Sequence, residues 1–102
     1  MIKKYSTSQI NIELTTLNKN NNSPWKVKNG KLNKVFIFPS FIEAFEFMKK
    51  IAIYAEEQNH HPEWCNSYNK IDIDLTTHEV NGISVRDFRL AKIIDTTAKF
   101  QP

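Results

Sequence analysis

Histidines are the residues of this chain best suited to chemistry, and two of the three are adjacent. His60 and His61 lie in the stretch Asn59–Trp64, and His78 is the third. Imidazole exchanges a proton near neutral pH without help from its surroundings, so these side chains suit acid–base catalysis. The alternative is that they are solvated histidines near a helix end, where the helix dipole favours them.

Acidic and aromatic side chains are spaced so that they would support such a site. Glu56 lies one helical turn before His60, where it either orients that imidazole or is an ordinary surface residue. Asp87 occupies the capping-box position of a predicted helix, a role that is compatible with orienting a histidine as well. Trp64 and Tyr68 are either core residues or a flat aromatic wall for a planar ring.

Other kinds of site find little support in the sequence. Zinc sites do use three histidines, but adjacent histidines rarely reach the same ion and no H-x-E-x-x-H spacing is present, so no metal is expected. Neither a nucleophile motif nor a glycine-rich phosphate loop is recognisable. The residues therefore favour acid–base chemistry without a cofactor, or no chemistry.

Composition is typical of a one-domain globular protein. The 102 residues are 40% hydrophobic and 25% charged, and we expect a single domain over residues 1–102. The net charge of +3 comes from scattered lysines, which argues against a nucleic-acid surface. We expect a cytoplasmic protein, since no signal peptide or membrane-spanning run is recognisable and the single Cys65, expected to be buried, forms no internal disulfide.

Periodicity predicts the elements that would position the histidines, in the order α-β-β-α-β-β-α. Apolar spacing indicates three helices and alternation indicates four strands joined in two hairpins. The expected fold is α+β, with two layers, a four-stranded antiparallel sheet and helices on one face. The predicted helices are residues 6–18, 41–58 and 85–98; the strands are 25–28, 31–38, 64–68 and 71–77; and the hairpin turns are Asn29-Gly30 and Asn69-Lys70.

The helix predicted at 41–58 has more apolar surface than one sheet face covers. Its core face is expected to consist of Phe41, Ala44, Phe45, Met48, Ile51, Ala52 and Ala55, with further apolar positions at Ile42, Phe47, Ile53 and Tyr54. Either the helix is deeply buried or it packs against another subunit, and its aromatic residues favour the second interpretation. Pro62 is expected to end the helix before the next strand.

The residues of the site form a motif that can be compared with a known signature. The pattern Glu56-x3-His60-His61-Pro62-x5-Tyr68-x9-His78-x8-Asp87 resembles that of the pterin-4a-carbinolamine dehydratase family. The resemblance covers Trp25 to Asp95, while the first helix matches only by type. Asn59 departs from the family pattern, which often has an acidic residue there.

The resemblance implies that a 4a-hydroxytetrahydropterin is dehydrated to quinonoid dihydropterin and water, in tetrahydrobiopterin recycling and without a cofactor. His60, His61 and His78 would be catalytic, with His60 and His78 sharing acid and base roles and His61 positioning the ring or the leaving hydroxyl. The sequence leaves open which of the two is the acid. Pterin contacts would come from Asn59, Thr76, Thr77 and Glu79, with support from Glu56, Pro62, Trp64, Tyr68 and Asp87.

The same resemblance implies an alternative of a different class. An animal relative serves as a dimerisation cofactor for a homeodomain transcription factor, so the chain would be an oligomeric protein-binding module with little or no catalysis. The apolar surface of the helix at 41–58 suits that role, or a homodimer or homotetramer. The intact set of three histidines favours the enzyme, because a binding module has no chemical need of them.

Overall fold

The computed structural model, which describes residues 1–99, has three helices and four strands. They correspond to the helices and strands predicted from apolar spacing and alternation. The helices are α1 (Thr7–Asn18), α2 (Phe41–Gln58) and α3 (Val85–Lys99), and the strands are β1 (Lys26–Lys28), β2 (Lys31–Ile37), β3 (Glu63–Ser67) and β4 (Lys70–Leu75). A 3₁₀ turn at His78–Val80 follows β4, in a segment predicted only as a turn. The α+β class and the element order are confirmed; the end of the predicted domain, residues 100–102, lies outside the described residues.

The sheet places β4 between β2 and β3, so the chain that follows β4 leaves from an interior strand. The strand order is β1-β2-β4-β3 and every neighbouring pair is antiparallel. Ile71, Ile73 and Leu75 of β4 are fully buried in the core shared with the helices. Asp72 and Asp74 alternate with them and face the opposite side of the sheet, as the strand period of two requires.

The sheet face opposite the core is polar. Asn33 of β2 donates to the carboxylates of Asp72 and Asp74 at 2.8 and 2.9 Å. Cys65 pairs with Asp72 on the edge strand β3 and is exposed, so its expected burial is wrong. The reason is the strand period: the neighbouring Trp64 takes the core side of β3, which turns Cys65 to the opposite face.

The buried face of α2 differs from the predicted one. Ala44, Phe47, Ile51 and Ala55 are buried, whereas Phe41, Phe45 and Ala52 are exposed. The helix is turned toward Phe47 because that ring packs against Phe36 and Phe38 of the sheet layer, with centroids 5.4 and 4.9 Å apart. Deep burial of α2 is therefore wrong for the single chain. Among residues 1–99, no helix combines the length and apolar character needed to cross a membrane.

The end of α2 determines where the histidine pair begins. Asn59 adopts a left-handed conformation (φ 51°, ψ 42°), its N–H donates to the Glu56 carbonyl, and the His60 N–H donates to the Ala55 carbonyl at 3.0 Å. These two bonds form a Schellman motif, which ends a helix without proline. Pro62 is thus not the residue that stops α2, contrary to the prediction, because the turn is complete at Asn59.

The second hairpin turn lies one residue earlier than predicted. Tyr68 and Asn69 form the turn, and Lys70 already belongs to β4. Tyr68 has a φ of 53°, an uncommon conformation for a bulky residue. The Asn66 amide stabilises it by donating to the carbonyls of Tyr68 and Lys70, both at 3.0 Å. These hydrogen bonds were not predicted, because they come from a side chain and do not follow from the usual preferences of turn residues.

We expect Asn59→Ala to lower the free energy of unfolding by about 1 kcal/mol, because alanine is disfavoured in the left-handed region. Asn59→Gly should unfold at the same urea concentration as the wild type or higher. Urea denaturation measures both, with Gln58→Ala as a control inside the helix. Equal midpoints for Asn59→Ala and the wild type would contradict the structural role given to this residue.

Candidate active site

Four chain segments meet at one end of the sheet and enclose a pocket of about 320 Å³. They are the loop after α2, the start of β3, the residues that follow β4, and the first turn of α3. This volume lies in the range of small-molecule sites, roughly 300–1,000 Å³. The lining residues are Asn59, His60, His61, Pro62, Glu63, Thr76, Thr77, His78, Glu79 and Arg86.

His60 is the buried histidine of the site, and Asp87 holds it. The side chain of His60 is 8% exposed and that of Asp87 is fully buried, with His60 Nε2 2.7 Å from Asp87 Oδ1. An ionised carboxylate can only accept hydrogen bonds, so Nε2 carries the proton of this contact. In the neutral ring Nδ1 is then the free acceptor, which is the form that a general base requires.

The second oxygen of Asp87 is also fully used. Thr77 donates its hydroxyl to Asp87 Oδ2 at 2.8 Å, and the Ser84 backbone N–H donates to the same oxygen at 2.9 Å. Asp87 therefore caps the start of α3 and holds a histidine at once, the two roles that were expected to be compatible. The Thr77 hydroxyl also lies 2.7 Å from that of Ser84, and Thr77 is buried. The hydroxyl of Thr77 thus has a supporting role at Asp87, and its contact with a substrate stays a prediction.

His61 points to a different partner. Its Nε2 lies 2.8 Å from Glu56 Oε1, and both side chains are mostly exposed. The predicted contact of Glu56 with His60 is not made, because the left-handed Asn59 breaks the helical spacing and turns His60 inward. The adjacent histidines diverge, and the described residues, 1–99, contain no group of three histidine, cysteine or acidic side chains arranged for a metal ion.

His78 stands at the open side of the pocket. Its side chain is 82% exposed, and its Nε2 lies 3.3 Å from Glu63 Oε2. Glu63 Oε1 accepts from Lys31 Nζ at 2.5 Å. The hydrogen bond from Lys31, followed by the charges of Lys31 and His78, holds the pKa of the Glu63 carboxyl below its ordinary value of 4.5. Burial acts in the opposite direction but is the weaker influence.

Glu63 and Arg86 are pocket residues that were not predicted from the sequence. Arg86 lies in the first turn of α3 and donates to Glu79 at 2.7 Å. A cation there opposes the helix dipole, which is a signal that could have identified it. Thr76, Glu79, Asn59 and Pro62 line the pocket as expected from their predicted places around the histidines.

Trp64 and Tyr68 do not form a shared wall in this pocket. Trp64 packs against the core on the helix side of β3. Tyr68 is 68% exposed and lies in the turn at the opposite end of β3 from Glu63. A strand rises about 3.3 Å per residue, so the length of β3 separates Tyr68 from the pocket within one chain.

Known proteins resemble the chain over nearly its whole length. Residues 3–97 match the family model described as Pterin 4 alpha carbinolamine dehydratase. A Solibacter usitatus protein, named as a candidate pterin-4-alpha-carbinolamine dehydratase, is 47% identical over 98 residues, 96% of this chain and 98% of that protein. A Burkholderia pseudomallei protein named in the same way is 40% identical over 101 residues, 97% of this chain and 95% of that protein.

The chain belongs to the pterin 4 alpha carbinolamine dehydratase family. A crystal structure from Brucella melitensis, described as a transcriptional coactivator/pterin dehydratase, shares the fold with a TM-score of 0.84 and 35% identity, over 93% of this chain and 98% of that chain. The family resemblance drawn from the histidine motif is thereby confirmed. The pterin carbinolamine dehydratase family also gives the pocket a chemical context, since its members' name specifies loss of water from a pterin.

In this family member, Thr77→Val should lower the free energy of unfolding by about 1–3 kcal/mol, because the buried Asp87 carboxylate loses a donor without a change of side-chain shape. Thr76→Val is the matched control, since that hydroxyl makes only a 3.4 Å contact with the Gly82 carbonyl. Urea denaturation measures both variants. If Thr77→Val were no less stable than Thr76→Val, the supporting role of Thr77 would be contradicted.

Proposed function

We propose that the chain dehydrates a 4a-hydroxytetrahydropterin to quinonoid dihydropterin and water, by acid–base catalysis from histidines. The observation that carries the proposal is the buried His60–Asp87 pair at a pocket that also contains His61 and His78. Membership of the dehydratase family supports the same reaction. The role in the cell is tetrahydrobiopterin recycling, in the cytoplasm and with the pterin as substrate rather than cofactor.

His60 is the base in this proposal. It removes the proton of the ring nitrogen next to the carbinolamine carbon, and the electron pair left on nitrogen forms the new C=N bond. The geometry favours this role because Asp87 accepts from Nε2–H and leaves Nδ1 as the proton acceptor. Asp87 also stabilises the imidazolium that forms, which lowers the barrier to proton removal.

His78 is the acid. The C–O bond breaks as the electron pair moves in, and the departing hydroxide takes a proton from the His78 imidazolium to leave as water. Glu63 Oε2 lies 3.3 Å from His78 Nε2, where the carboxylate accepts from one ring nitrogen and leaves the other for the substrate. Exposure of His78 at the open side of the pocket also lets it regain a proton from solvent after each turnover.

The remaining pocket residues hold the pterin. His61 positions the ring or the leaving hydroxyl, with Glu56 fixing its imidazole. Thr76, Glu79 and Asn59 supply hydrogen-bonding groups around the opening, and Arg86 adds a cation beside Glu79. A pterin edge is rich in donors and acceptors, which matches a rim of hydroxyl, amide and charged groups.

We expect His60→Ala and His78→Ala each to lower kcat for dehydration of the 4a-carbinolamine by about 10²–10⁴-fold, the usual contribution of one acid or base. His60→Asn guards against simple unfolding, because the amide can still donate to the buried carboxylate, and it should be equally slow. His61→Ala should act mainly on KM. Absorbance of the quinonoid product follows the reaction, and circular dichroism checks folding. Near-native kcat in both alanine variants would contradict the assignment.

We propose in addition that the chain forms a homodimer or homotetramer through α2. Phe41, Ile42, Phe45, Ala52 and Ile53 form an exposed apolar stripe along that helix, with Ile42 and Ile53 66% and 63% exposed. Apolar stripes of this kind are typical of interfaces between subunits. A second copy is the occupant that the stripe favours, because an isologous contact needs only the surface that the chain itself carries. A transcription partner is the alternative function, and the Brucella protein's description as a coactivator makes it worth testing.

Ile42→Asp with Ile53→Asp should shift the mass measured by light scattering from an oligomer to a monomer, because two carboxylates cannot be buried in an apolar contact without a large desolvation penalty. Ile12→Asp is the control, since Ile12 is equally exposed but lies on α1. A wild type that is already monomeric would overturn the oligomer, and stoichiometric capture of another protein by the wild type alone would favour the alternative function.

A further inference from the structure

We propose that Glu63 and Lys31 are positioning residues for His78. Glu63 orients the His78 imidazole, and Lys31 weakens the hold of that imidazole on its proton. This inference rests on the proposed function for its consequence in catalysis. The coupling of the side chains of Lys31, Glu63 and His78 can be tested without a substrate.

Glu63 is the carboxylate that joins Lys31 and His78. Its Oε1 contacts Lys31 Nζ at 2.5 Å and its Oε2 lies 3.3 Å from His78 Nε2. Because the two oxygens have different partners, rotation of the carboxylate toward one partner weakens the contact with the other. The orientation of the His78 ring is therefore tied to a residue that does not itself line the pocket, Lys31.

The sheet brings Lys31 to this place from a distance. Lys31 begins β2 and Glu63 begins β3, and β4 runs between these strands. Two inter-strand spacings of about 4.8 Å separate the strands, so the lysine must extend across the end of β4 to reach the carboxylate. His78 comes shortly after β4, which places it beside the same carboxylate. The contact thus depends on the register of three strands and not on local spacing.

The other charged groups of the pocket and of the neighbouring strand β4 have partners of their own. Glu79 of the 3₁₀ turn is paired with Arg86 of α3, and Asp74 of β4 accepts from Asn33. His60 and His61 follow α2 and contact Asp87 and Glu56. Glu63 is the carboxylate in contact with His78, and Lys31 partly offsets the charge of that carboxylate.

A balance of this kind suits a general acid. A carboxylate next to an imidazolium helps to keep it protonated, but an acid that is held too firmly in its protonated form transfers its proton poorly. Lys31, which contacts the other oxygen of Glu63, draws the carboxylate away from the imidazole and so weakens the effect of the carboxylate on the imidazolium. The lowered pKa of Glu63 keeps the carboxylate ionised through the neutral range, so its contacts with Lys31 and His78 are present at neutral pH. Exposed ion pairs add little stability, so the effect is expected in proton transfer rather than in unfolding.

Titration by nuclear magnetic resonance tests the coupling directly. The chain has three histidines, so the imidazole Cε1–H region should contain three signals, which single substitutions assign. Glu63→Gln should lower the midpoint of the His78 signal by about one pH unit, because unit charges 3.3 Å apart interact at that level in water. Lys31→Ala should raise the midpoint by about half a pH unit, as expected for charges about 6 Å apart. Lys31→Arg should restore the wild-type midpoint. The control is Lys28→Ala, which removes a lysine directly opposite Lys31 in the β1–β2 register.

Opposite shifts for Glu63→Gln and Lys31→Ala, confined to the His78 signal, would support the proposal. Shifts of the same sign, equal shifts in Lys28→Ala, or no shift would overturn it. The difference between Lys31→Ala and the wild type should also disappear in about 1 M salt, where the screening length falls to about 3 Å.

Kinetics on the same variants tests the catalytic consequence. Glu63→Gln should lower kcat for dehydration by about tenfold with little change in KM, since a misplaced acid group loses rate rather than substrate affinity. Lys31→Ala should move the pH profile of kcat upward in the same direction as the His78 signal, and Lys31→Arg should restore it. A wild type that shows no dehydration would defeat the proposed function, while the resonance shifts would still decide whether the three side chains are coupled.

Discussion

The buried contact between His60 and Asp87 is the constraint on which this end of the fold depends. A fully buried carboxylate is stable only when its oxygens are paired, because the charge has lost its water. Asp87 obtains its donors from His60 after α2, from Thr77 after β4, and from the backbone at Ser84 before α3. One carboxylate therefore joins the chain after α2 to the chain between β4 and α3. The pocket has its shape because those segments must converge to satisfy it.

Local signals account for the part of the fold that could be predicted from the sequence. Asn29-Gly30 adopts positive φ at both positions, as expected of a hairpin turn with those residues, and α2 has the predicted bounds. The misplaced features depend on side-chain contacts that spacing and turn preferences do not encode. The hydrogen bonds from the Asn66 side chain stabilise a turn that begins at Tyr68, and the packing of Phe47 on the sheet determines which side of α2 is buried. Helical periodicity marks an apolar arc, but an arc this wide does not say which part of it meets the sheet.

The candidate site likewise contains features that could be predicted from the sequence and features that could not. The three histidines and the double role of Asp87 were accessible because residue type and capping distance are local properties. Glu56 was expected either to orient His60 or to be a surface residue; it is exposed and contacts His61, because the left-handed Asn59 after the helix turns His60 inward. Glu63 could not be found by spacing, because its contact with Lys31 depends on a register across β4. Prediction from sequence thus fails where a contact crosses strands, or where one backbone angle redirects the residues after it.

Burial separates two histidines that the sequence presents as equivalents. His60 is enclosed with a fully buried carboxylate, so its tautomer and orientation are determined by neighbours that cannot move independently. His78 is open to solvent, and its surroundings consist of charges at the end of the sheet that water and salt can screen. A proton acceptor benefits from the first environment, because a fixed ring presents its free nitrogen in one direction. A proton donor benefits from the second, because it must be recharged from solvent. In the proposed reaction imidazole thus serves in both roles, and the buried Asp87 carboxylate at His60 and the exposed sheet end at His78 distinguish them.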